Sequence, residues 1–482
     1  MDDGIKEIID IPFNCDSIAV VGASDDPFSF GHHYVRHLLD YGYPGRIYPV
    51  NPNRQTILGL KAYPTLSSIP AQVEYVICCI SASRVLDLIT ECSSLGIKIV
   101  QFFTARLSET GRQEAKDLET KIRQHAKKLD VRLIGPNCMG VYCPRRGMAF
   151  NFDFPKEPGT VGAVYQSAAA FTLLARYAEL QGIRFSKVIS YGNALDLDES
   201  DFLLYLAQDS ETKVIATYIE GVKNGRKFLD TLSEIAQIKP VIVLKGGRSM
   251  AGGRAIASHT ASIAGSHDAW DTACRQAGVI QARDVSELIS LLVTFSFLPP
   301  IEGRRVAILG GGGGRGVMSA DACEEAGLSV PPLGDDVRNG LKTEMPELWD
   351  WLGNPMDFSI MTAKELMNCG NILRMVAKSP LFNLVIANVN EDAPLARDSW
   401  EAFINKETDD IIEVFNEQLK PMIVIVSDGK INTTKFQDWR WKLLAEQRAR
   451  LVAANIPTYS RITDAANAIR KFADYWQAPS VS

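Results

Sequence analysis

The sequence predicts an α/β protein built of three doubly wound domains with parallel sheets. Short apolar runs alternate with segments of helical length along most of the chain, the pattern of parallel strands joined by crossover helices. Several of these runs stop at turn residues, at Gly22, Asn51-Pro52 and Gly135-Pro136. The length of 482 residues matches about three domains at roughly 150 residues each.

Ser17–Val21 reads as the first strand, and a helical pattern follows through His33 to Leu39. Arg46–Val50, Tyr75–Ile80, Ile97–Phe103 and Val131–Ile134 read as further strands, with helices over Arg84–Leu95 and Ser108–Lys128. Phe154–Gly159 carries Pro155, Pro158 and Gly159 and reads as a linker, so the first domain is set at residues 1–150. The second, 151–300, opens with a strand at Val161–Val164 and a helix over Ala168–Gln181 that Gly182 stops. Val188–Ser190, Val214–Ile219 and Val241–Leu244 are its next strands, and Pro299–Gly303 is a second break. The third, 301–482, has strands at Arg305–Leu309, Leu384–Val389 and Met422–Val426 and a closing helix after Asp464. No short-period repeat is visible.

Lys+Arg 51 against Asp+Glu 57 leaves a net charge of −6, and 46% of residues are hydrophobic. That composition supports several cores and excludes general disorder. No long basic block offers a nucleic-acid surface. Gly159–Ala175 is the longest uncharged stretch but is diluted by polar residues, and Leu288–Leu298 stops at Pro299-Pro300. Neither reaches the roughly 20 apolar residues of a membrane span. The acidic start, MDDGIKEIID, lacks the apolar core of a signal peptide. Nine cysteines without a CxxC pair read as reduced thiols, which implies a cytoplasmic location and no metal site.

Four motifs carry chemistry. Val20-Val21-Gly22-Ala23-Ser24 sets a small-residue turn between strand and helix, where backbone N–H groups approach a phosphate. The GxGxxG spacing is absent, and the next strand ends in Asn51 and Asn53, where a dinucleotide ribose wants an acid. A nucleotide-containing ligand without nicotinamide fits better, and an ordinary tight turn is the competing reading. Gly310–Gly314 followed by Arg315-Gly316-Val317 is no Walker A loop, since no Gly-Lys-Ser/Thr follows. Anion binding and a packing turn stand level there. Tyr165-Gln166-Ser167-Ala168 opens a helix that Ser167 can cap, with or without an anion at the same helix end. Lys245-Gly246-Gly247-Arg248-Ser249 leads to Ser258-His259-Thr260-Ala261. A neutral imidazole can attack a phosphoryl group and carry it covalently, given an acceptor that orients its other nitrogen. Glu220, after the strand Val214–Ile219, can be that acceptor. By residue type alone, a surface histidine and a solvated strand-end carboxylate are the commoner outcomes.

Taken in order, Val20–Ser24, Tyr48-Pro49-Val50-Asn51-Pro52, Ile134–Gly140, Tyr218-Ile219-Glu220-Gly221-Val222-Lys223, Leu244–Ser249, Ala257-Ser258-His259-Thr260 and Asn354-Pro355-Met356-Asp357 resemble the NDP-forming acyl-CoA synthetases. The resemblance is to the α-subunit type of ADP-forming acetyl-CoA synthetase, with succinyl-CoA synthetase α more distant. It implies a Rossmann-type CoA-binding domain followed by two flavodoxin-like doubly wound domains. The implied reaction is acid + CoA + ATP ⇌ acyl-CoA + ADP + phosphate, through an acyl phosphate and a phosphohistidine. By this resemblance His259 carries phosphate and Glu220 orients it. Gly22, Ala23, Ser24, Asn51, Pro52, Asn53, Pro136 and Asn137 form the CoA set, and Gln166, Ser167 and Ala168 hold phosphate. ATP or ADP and Mg are expected on a separate ATP-grasp β subunit, in an α2β2-type hetero-oligomer. The other partners are a carboxylic acid or acyl-CoA and phosphate.

The chain departs from the family pattern at three places. Ser-Gln-Ser-Gly becomes Tyr165-Gln166-Ser167-Ala168, Ser-His-Thr-Gly ends in Ala261, and Ser-Ala-Gly-Phe becomes Thr104-Ala105-Arg106-Leu107. Tyr165 is expected to add bulk near the acyl or phosphate site. Gly246-Gly247 and Gly252-Gly253 are hinge candidates for moving a phosphohistidine between sites. The alternative reading is a non-catalytic CoA-binding regulatory or scaffold subunit of the same fold.

Overall fold

Several strands are runs rich in Val, Ile, Ala and Leu whose every residue is buried, among them Ser17–Val21, Val161–Tyr165 and Leu384–Asn388. Burial on both faces is what a parallel sheet covered by helices requires. The computed structural model describes residues 2–260, 267–359, 361–427 and 438–477, apart from the side chains of 257–260, 267–268 and 363–364. The chain forms two compact units, Met1–Leu288 and Ile289–Ser482.

The first unit holds two main sheets. One comprises β1 (Ser17–Val21), β2 (Arg46–Val50), β5 (Tyr75–Cys78), β6 (Ile99–Phe102) and β7 (Arg132–Ile134), in the order β2-β1-β5-β6-β7 and all parallel. A small hairpin, β3 (Thr56–Ile57) and β4 (Leu60–Lys61), stands outside it. The second comprises β8 (Gly140–Tyr142), β9 (Val161–Tyr165), β10 (Phe185–Ser190), β11 (Val214–Ile219), β12 (Val241–Lys245) and β13 (Ile280–Ala282), ordered β13-β12-β11-β9-β10-β8. Only β8 runs antiparallel, against β10. The two sheets therefore divide between Ile134 and Gly140. In the second unit, β14 (Val306–Leu309), β15 (Leu384–Asn388), β16 (Met422–Ile425) and β17 (Thr458–Tyr459) pair in parallel in sequence order. Isolated parallel bridges Arg305–Ser329 and Leu309–Met356 edge the free side of β14.

The strand order repeats. Counted within each sheet of the first unit, the parallel strands run 2-1-3-4-5, and the bridges beside β14 give the third sheet a short stand-in for strand 2. In this order successive crossovers leave the first strand in opposite directions, and a crevice opens beyond its carboxyl end, between strands 1 and 3. The three crevices lie beyond β1 and β5, β9 and β11, and β14 and β15.

Helices α1 (Asp3–Asn14), α2 (Phe30–Asp40), α3 (Val85–Ser94), α4 (Gln113–Lys128), α5 (Ala168–Glu179), α6 (Glu199–Gln208), α7 (Gly225–Ala236), α8 (Met250–Thr260) and α9 (His267–Ala277) belong to the first unit. α10 (Val285–Phe297) runs into the second, where α11 (Gly313–Glu325) follows β14. The single helix expected over Ser108–Lys128 is a 3-10 turn, Ser108–Thr110, and then α4, because Gly111 adopts φ 73° between them. All nine cysteines are free. Among the described residues no helix is long and apolar enough to cross a membrane.

Candidate active site

At the first crevice the chain leaves β1 through Gly22, whose φ is 90° and whose amide donates to Val50 O at 3.0 Å. A Cβ there would stand 2.9 Å from Cys79 O, so the turn needs glycine for both conformation and space. Asn51 holds the turn from the neighbouring strand. Its Nδ2 donates to Ala23 O at 2.8 Å, and its Oδ1 accepts from the Asn53 amide at 2.9 Å. Ser24 Oγ accepts from the Asp26 amide at 3.0 Å. Ala23 is buried, Ser24 and Asn51 are half-buried, and Pro52 and Asn53 are exposed. The structure thus brings these predicted residues together beyond the carboxyl ends of β1 and β2.

Pro136 and Asn137 follow β7, at the far edge of the same sheet, and join it to the second. Pro136 O accepts from the Asn193 amide at 3.0 Å, Asn137 Nδ2 approaches Asn193 Oδ1 at 3.4 Å, and Asn193 Nδ2 donates to Glu109 Oε2 at 3.0 Å. They stand apart from the Gly22–Ser24 turn by two intervening strands, β5 and β6.

At the second crevice Ser167 caps α5, its Oγ accepting from the Ala170 amide at 3.4 Å. Gln166 is buried, and its Oε1 accepts from the amides of Glu220 at 2.8 Å and Gly221 at 3.1 Å. One side chain thereby ties the ends of β9 and β11 across the switch point. Glu220 is only 7% exposed, which removes the solvated reading of it. From the end of β12, Lys245 Nζ donates to Glu220 O at 2.7 Å and Gly246 O at 2.5 Å and lies 5.4 Å from the Trp270 ring centre. Burial lowers the Lys245 pKa, opposed by the Glu220 charge. Burial first, then the nearby Glu220 side chain, push the Tyr218 hydroxyl up to about 12.

Residue type alone did not single out Tyr218, Lys245, Trp270 or Asn193. The motifs that contain Tyr218 and Lys245 were visible, but their partners lie on other strands. Tyr165 differs from its expected place. It is 1% exposed, stacked on Tyr218 at 5.9 Å and edge-on to Phe171 at 5.3 Å, so it belongs to the core. It adds no bulk to the crevice because its ring packs between strand and helix.

α8 carries Ser258, His259 and Thr260 on its last turn and runs against the turn Ser108–Thr110. The side chain of His259 and the whole of Ala261 lie outside the described residues. The start of α8 is capped by Ser249, whose Oγ accepts from the Gly252 amide at 3.1 Å. An open cavity of about 480 Å³ there is lined by Lys245, Gly247, Arg248, Ser249 and Gly252. Of the hinge candidates, Gly247 has φ 68°, while Gly252 and Gly253 lie within α8.

The third crevice, in the second unit, is lined by the glycine turn. Gly310 and Gly311 have φ of 82° and 74°. Gly311 N donates to Asn390 Oδ1 at 2.6 Å, and Arg315 bridges Glu391 and Asp392, each at 2.6 Å. A cavity of about 250 Å³ lies here, with Phe358, Met361 and Leu395 among its walls. Protein carboxylates already hold the turn's arginine.

Comparison with known proteins places the chain in a family. Residues 16–144 match the CoA binding domain family, and residues 158–295 match the family described as succinyl-CoA ligase like flavodoxin domain. The chain is 37% identical over 350 residues to the acetate–CoA ligase [ADP-forming] II subunit alpha of Pyrococcus furiosus, covering 73% of this chain and 76% of that one. It is 30% identical over 466 residues to the 4-hydroxybutyrate–CoA ligase [ADP-forming] of Nitrosopumilus maritimus, covering 95% of this chain and 65% of that protein. Among solved structures, the dinucleotide forming acetyl-coenzyme A synthetase 1 of Ca. Korarchaeum cryptofilum, in complex with phosphate and ADP, superposes with a TM-score of 0.82 at 30% identity. That match covers 97% of this chain and 96% of the other.

Proposed function

Because the chain belongs to the NDP-forming acyl-CoA synthetase family, we propose that it is the α subunit of an ADP-forming acyl-CoA synthetase that works through a phosphohistidine at His259. The observation that carries this reading is the buried Glu220 carboxylate beside Gln166 and the capped start of α5, at the switch point of the second sheet. A phosphate at that helix end meets amides and a favourable dipole. The division into a CoA-binding part, 1–150, a phosphohistidine part, 151–300, and a second flavodoxin-like part, 301–482, belongs to the same proposal.

In the direction of ATP formation, a phosphate oxygen attacks the thioester carbonyl of acyl-CoA, and CoA leaves as thiol after taking a proton. A His259 ring nitrogen then attacks the phosphorus of the acyl phosphate. The N–P bond forms, the bond from phosphorus to the acyl oxygen breaks, and the carboxylate leaves. ADP finally takes the phosphoryl group from the histidine on a separate subunit that binds the nucleotide with Mg. Gln166, Ser167 and the Ala168 amide hold phosphate, and Glu220 accepts a hydrogen bond from the other ring N–H, which keeps the tautomer that reacts. Gly22, Ala23, Ser24, Asn51, Pro52 and Asn53 take the nucleotide part of CoA, with Pro136 and Asn137 toward the second crevice.

The test is phosphorylation by labelled acetyl phosphate, comparing wild type with His259→Ala. Acid-labile, base-stable label on wild type that the variant loses is the expected result. Wild type that binds CoA by calorimetry yet takes no label from acetyl phosphate, or from ATP with its partner, would instead be a CoA-binding subunit without phosphate transfer.

A further inference from the structure

Among the described residues seven other than glycine have a positive φ, and four of them have an ordinary reason for it. Leu58 turns the hairpin between β3 and β4, and Asp130, Gln418 and Asn455 stand just past the ends of helices. The other three, Arg106, Asn137 and Ala194, have φ of 69°, 56° and 50° and follow β6, β7 and β10. They meet at the seam between the two sheets of the first unit. The Asn137 amide donates to Thr104 O at 3.0 Å, and its side chain approaches Asn193 Oδ1 at 3.4 Å. Glu109 closes the cluster: its Oε1 accepts from the amides of Arg106 and Leu107, and its Oε2 accepts from Asn193 Nδ2 at 3.0 Å.

Asparagine tolerates left-handed backbone, but alanine and arginine are strained there, and such strain collects at ligand sites. Arg106 is the strained residue with chemistry to offer. It stands where the family pattern has glycine, which would make the same turn without strain. It is exposed, and its guanidinium makes no ion pair among the described residues. The turn itself gains nothing from an arginine, so what position 106 supplies is the side chain. The seam lies between the crevice assigned to CoA and the crevice assigned to phosphate. The turn Ser108–Thr110, two residues on, touches α8, the helix of His259. An acyl group handed from CoA to phosphate crosses this seam. Gln166, Ser167 and Ala168 already serve the phosphate and Gly22–Ser24 the phosphates of CoA, which leaves the acyl end for the arginine.

We propose that Arg106 is a specificity-determining residue whose guanidinium pairs with a second carboxylate at the far end of the acyl group, so that the acid used is a dicarboxylate. Acetate and 4-hydroxybutyrate, in the relatives' names, carry one carboxylate. The planar fork of a guanidinium takes a carboxylate through two parallel bonds. This rests on the CoA and phosphohistidine assignments above. Acetyl phosphate stays a donor, without the contact at Arg106.

The test uses succinyl-CoA and butyryl-CoA, which are equal in chain length and differ only in a terminal carboxylate or methyl. Labelled phosphate with each, at low acyl-CoA, gives a rate of label incorporation in wild type, Arg106→Gly, Arg106→Ala and Arg106→Lys. Wild type should favour succinyl-CoA. Arg106→Gly and Arg106→Ala should cut the succinyl-to-butyryl ratio roughly ten- to a hundredfold, the range for losing a bond between charged groups. Arg106→Lys should keep part of it, as charge without the fork. A wild-type ratio near one, or variants that slow both acyl-CoAs by one factor, overturn the proposal; the second result puts the guanidinium on the phosphate or CoA that the two reactions share. Melting temperatures test the backbone argument. Arg106→Gly should melt above Arg106→Ala, since both lose the side chain and only glycine relaxes φ; the reverse order removes the strain that singles out position 106, and the proposal with it. A last readout needs no turnover: millimolar free succinate, and not butyrate, should raise the melting temperature of wild type but not of Arg106→Ala. If wild type takes no label from either acyl-CoA, the phosphohistidine reading falls and this shift alone decides. Its loss in the variant keeps a carboxylate site at Arg106, and its absence in wild type overturns that site too.

Discussion

Asn51 illustrates what a single side chain decides. Its amide group both donates, to Ala23 O, and accepts, from the Asn53 amide. A carboxylate can only accept, so an acid at this position would face the Ala23 carbonyl with no proton to share. Asn51→Asp is therefore expected to loosen the Gly22–Ser24 turn and weaken CoA binding roughly five- to tenfold, the worth of about one hydrogen bond. It should gain no affinity for NADH, and calorimetry with both ligands checks this. NADH binding tighter than CoA in wild type or variant would overturn the argument against nicotinamide at this turn. The residue type at position 51 was legible in the sequence, and so was its argument against nicotinamide. Its partner was not, because Ala23 lies in the turn after the adjacent strand and only the β1–β2 pairing brings it near. The same reason hid the burial of Glu220. A carboxylate just past a strand looks solvated until Gln166 and Lys245, from two other strands, close over its backbone.

At the scale of elements, α5 and α6 carry separable predictions. Ser167 caps α5, and aspartate caps a helix equally well. Ser167→Asp should leave thermal stability near wild type, whereas Ser167→Ala should lose about 1 kcal/mol. If that helix end also holds phosphate, Ser167→Asp places a negative charge against it and should abolish labelling. A variant labelled at the wild-type rate would leave Ser167 as a cap alone. α6 begins with Glu199, which is 4% exposed. Burial first, then the Asp198 charge, push its pKa up to about 7. The folded state thus binds this proton more tightly than the unfolded chain, so stability falls as pH rises from the ordinary carboxylate range to about 7 and levels off above. Glu199→Gln should flatten that decline in melting temperatures taken between pH 5 and 8; an unchanged slope would place the carboxylate in contact with water. The longer strands and helices were legible from apolar runs and glycine stops. Gly140–Tyr142, Ile280–Ala282 and Thr458–Tyr459 were not, because elements of two or three residues have no period of their own and exist only by pairing with a neighbour.

The whole molecule repeats one strand order three times, and the repeats differ in what occupies their crevices. The first presents a glycine turn and exposed asparagine-flanked backbone, the second a buried carboxylate beside a capped helix. In the third the cation is already taken, because Arg315 is held by Glu391 and Asp392 and the Gly311 amide by Asn390. A triphosphate would have to displace those carboxylates, each bridged at 2.6 Å, at the cost of leaving Glu391 buried and unpaired. The glycine run was legible in the sequence as a close-approach turn; its neutralisation was not, since the two acids come from the loop after β15. On the proposed function, phosphate enters this chain from the acyl side at the second crevice and leaves to a nucleotide held elsewhere. The 482 residues alone should then take label from acetyl phosphate but not from γ-labelled ATP. Adding the nucleotide-binding subunit should open the ATP route, and that label should disappear with His259→Ala. ATP labelling by this chain alone, as fast as with the second subunit, would mean that one of the three crevices accepts the nucleotide after all; Arg315→Ala would then show whether it is the third.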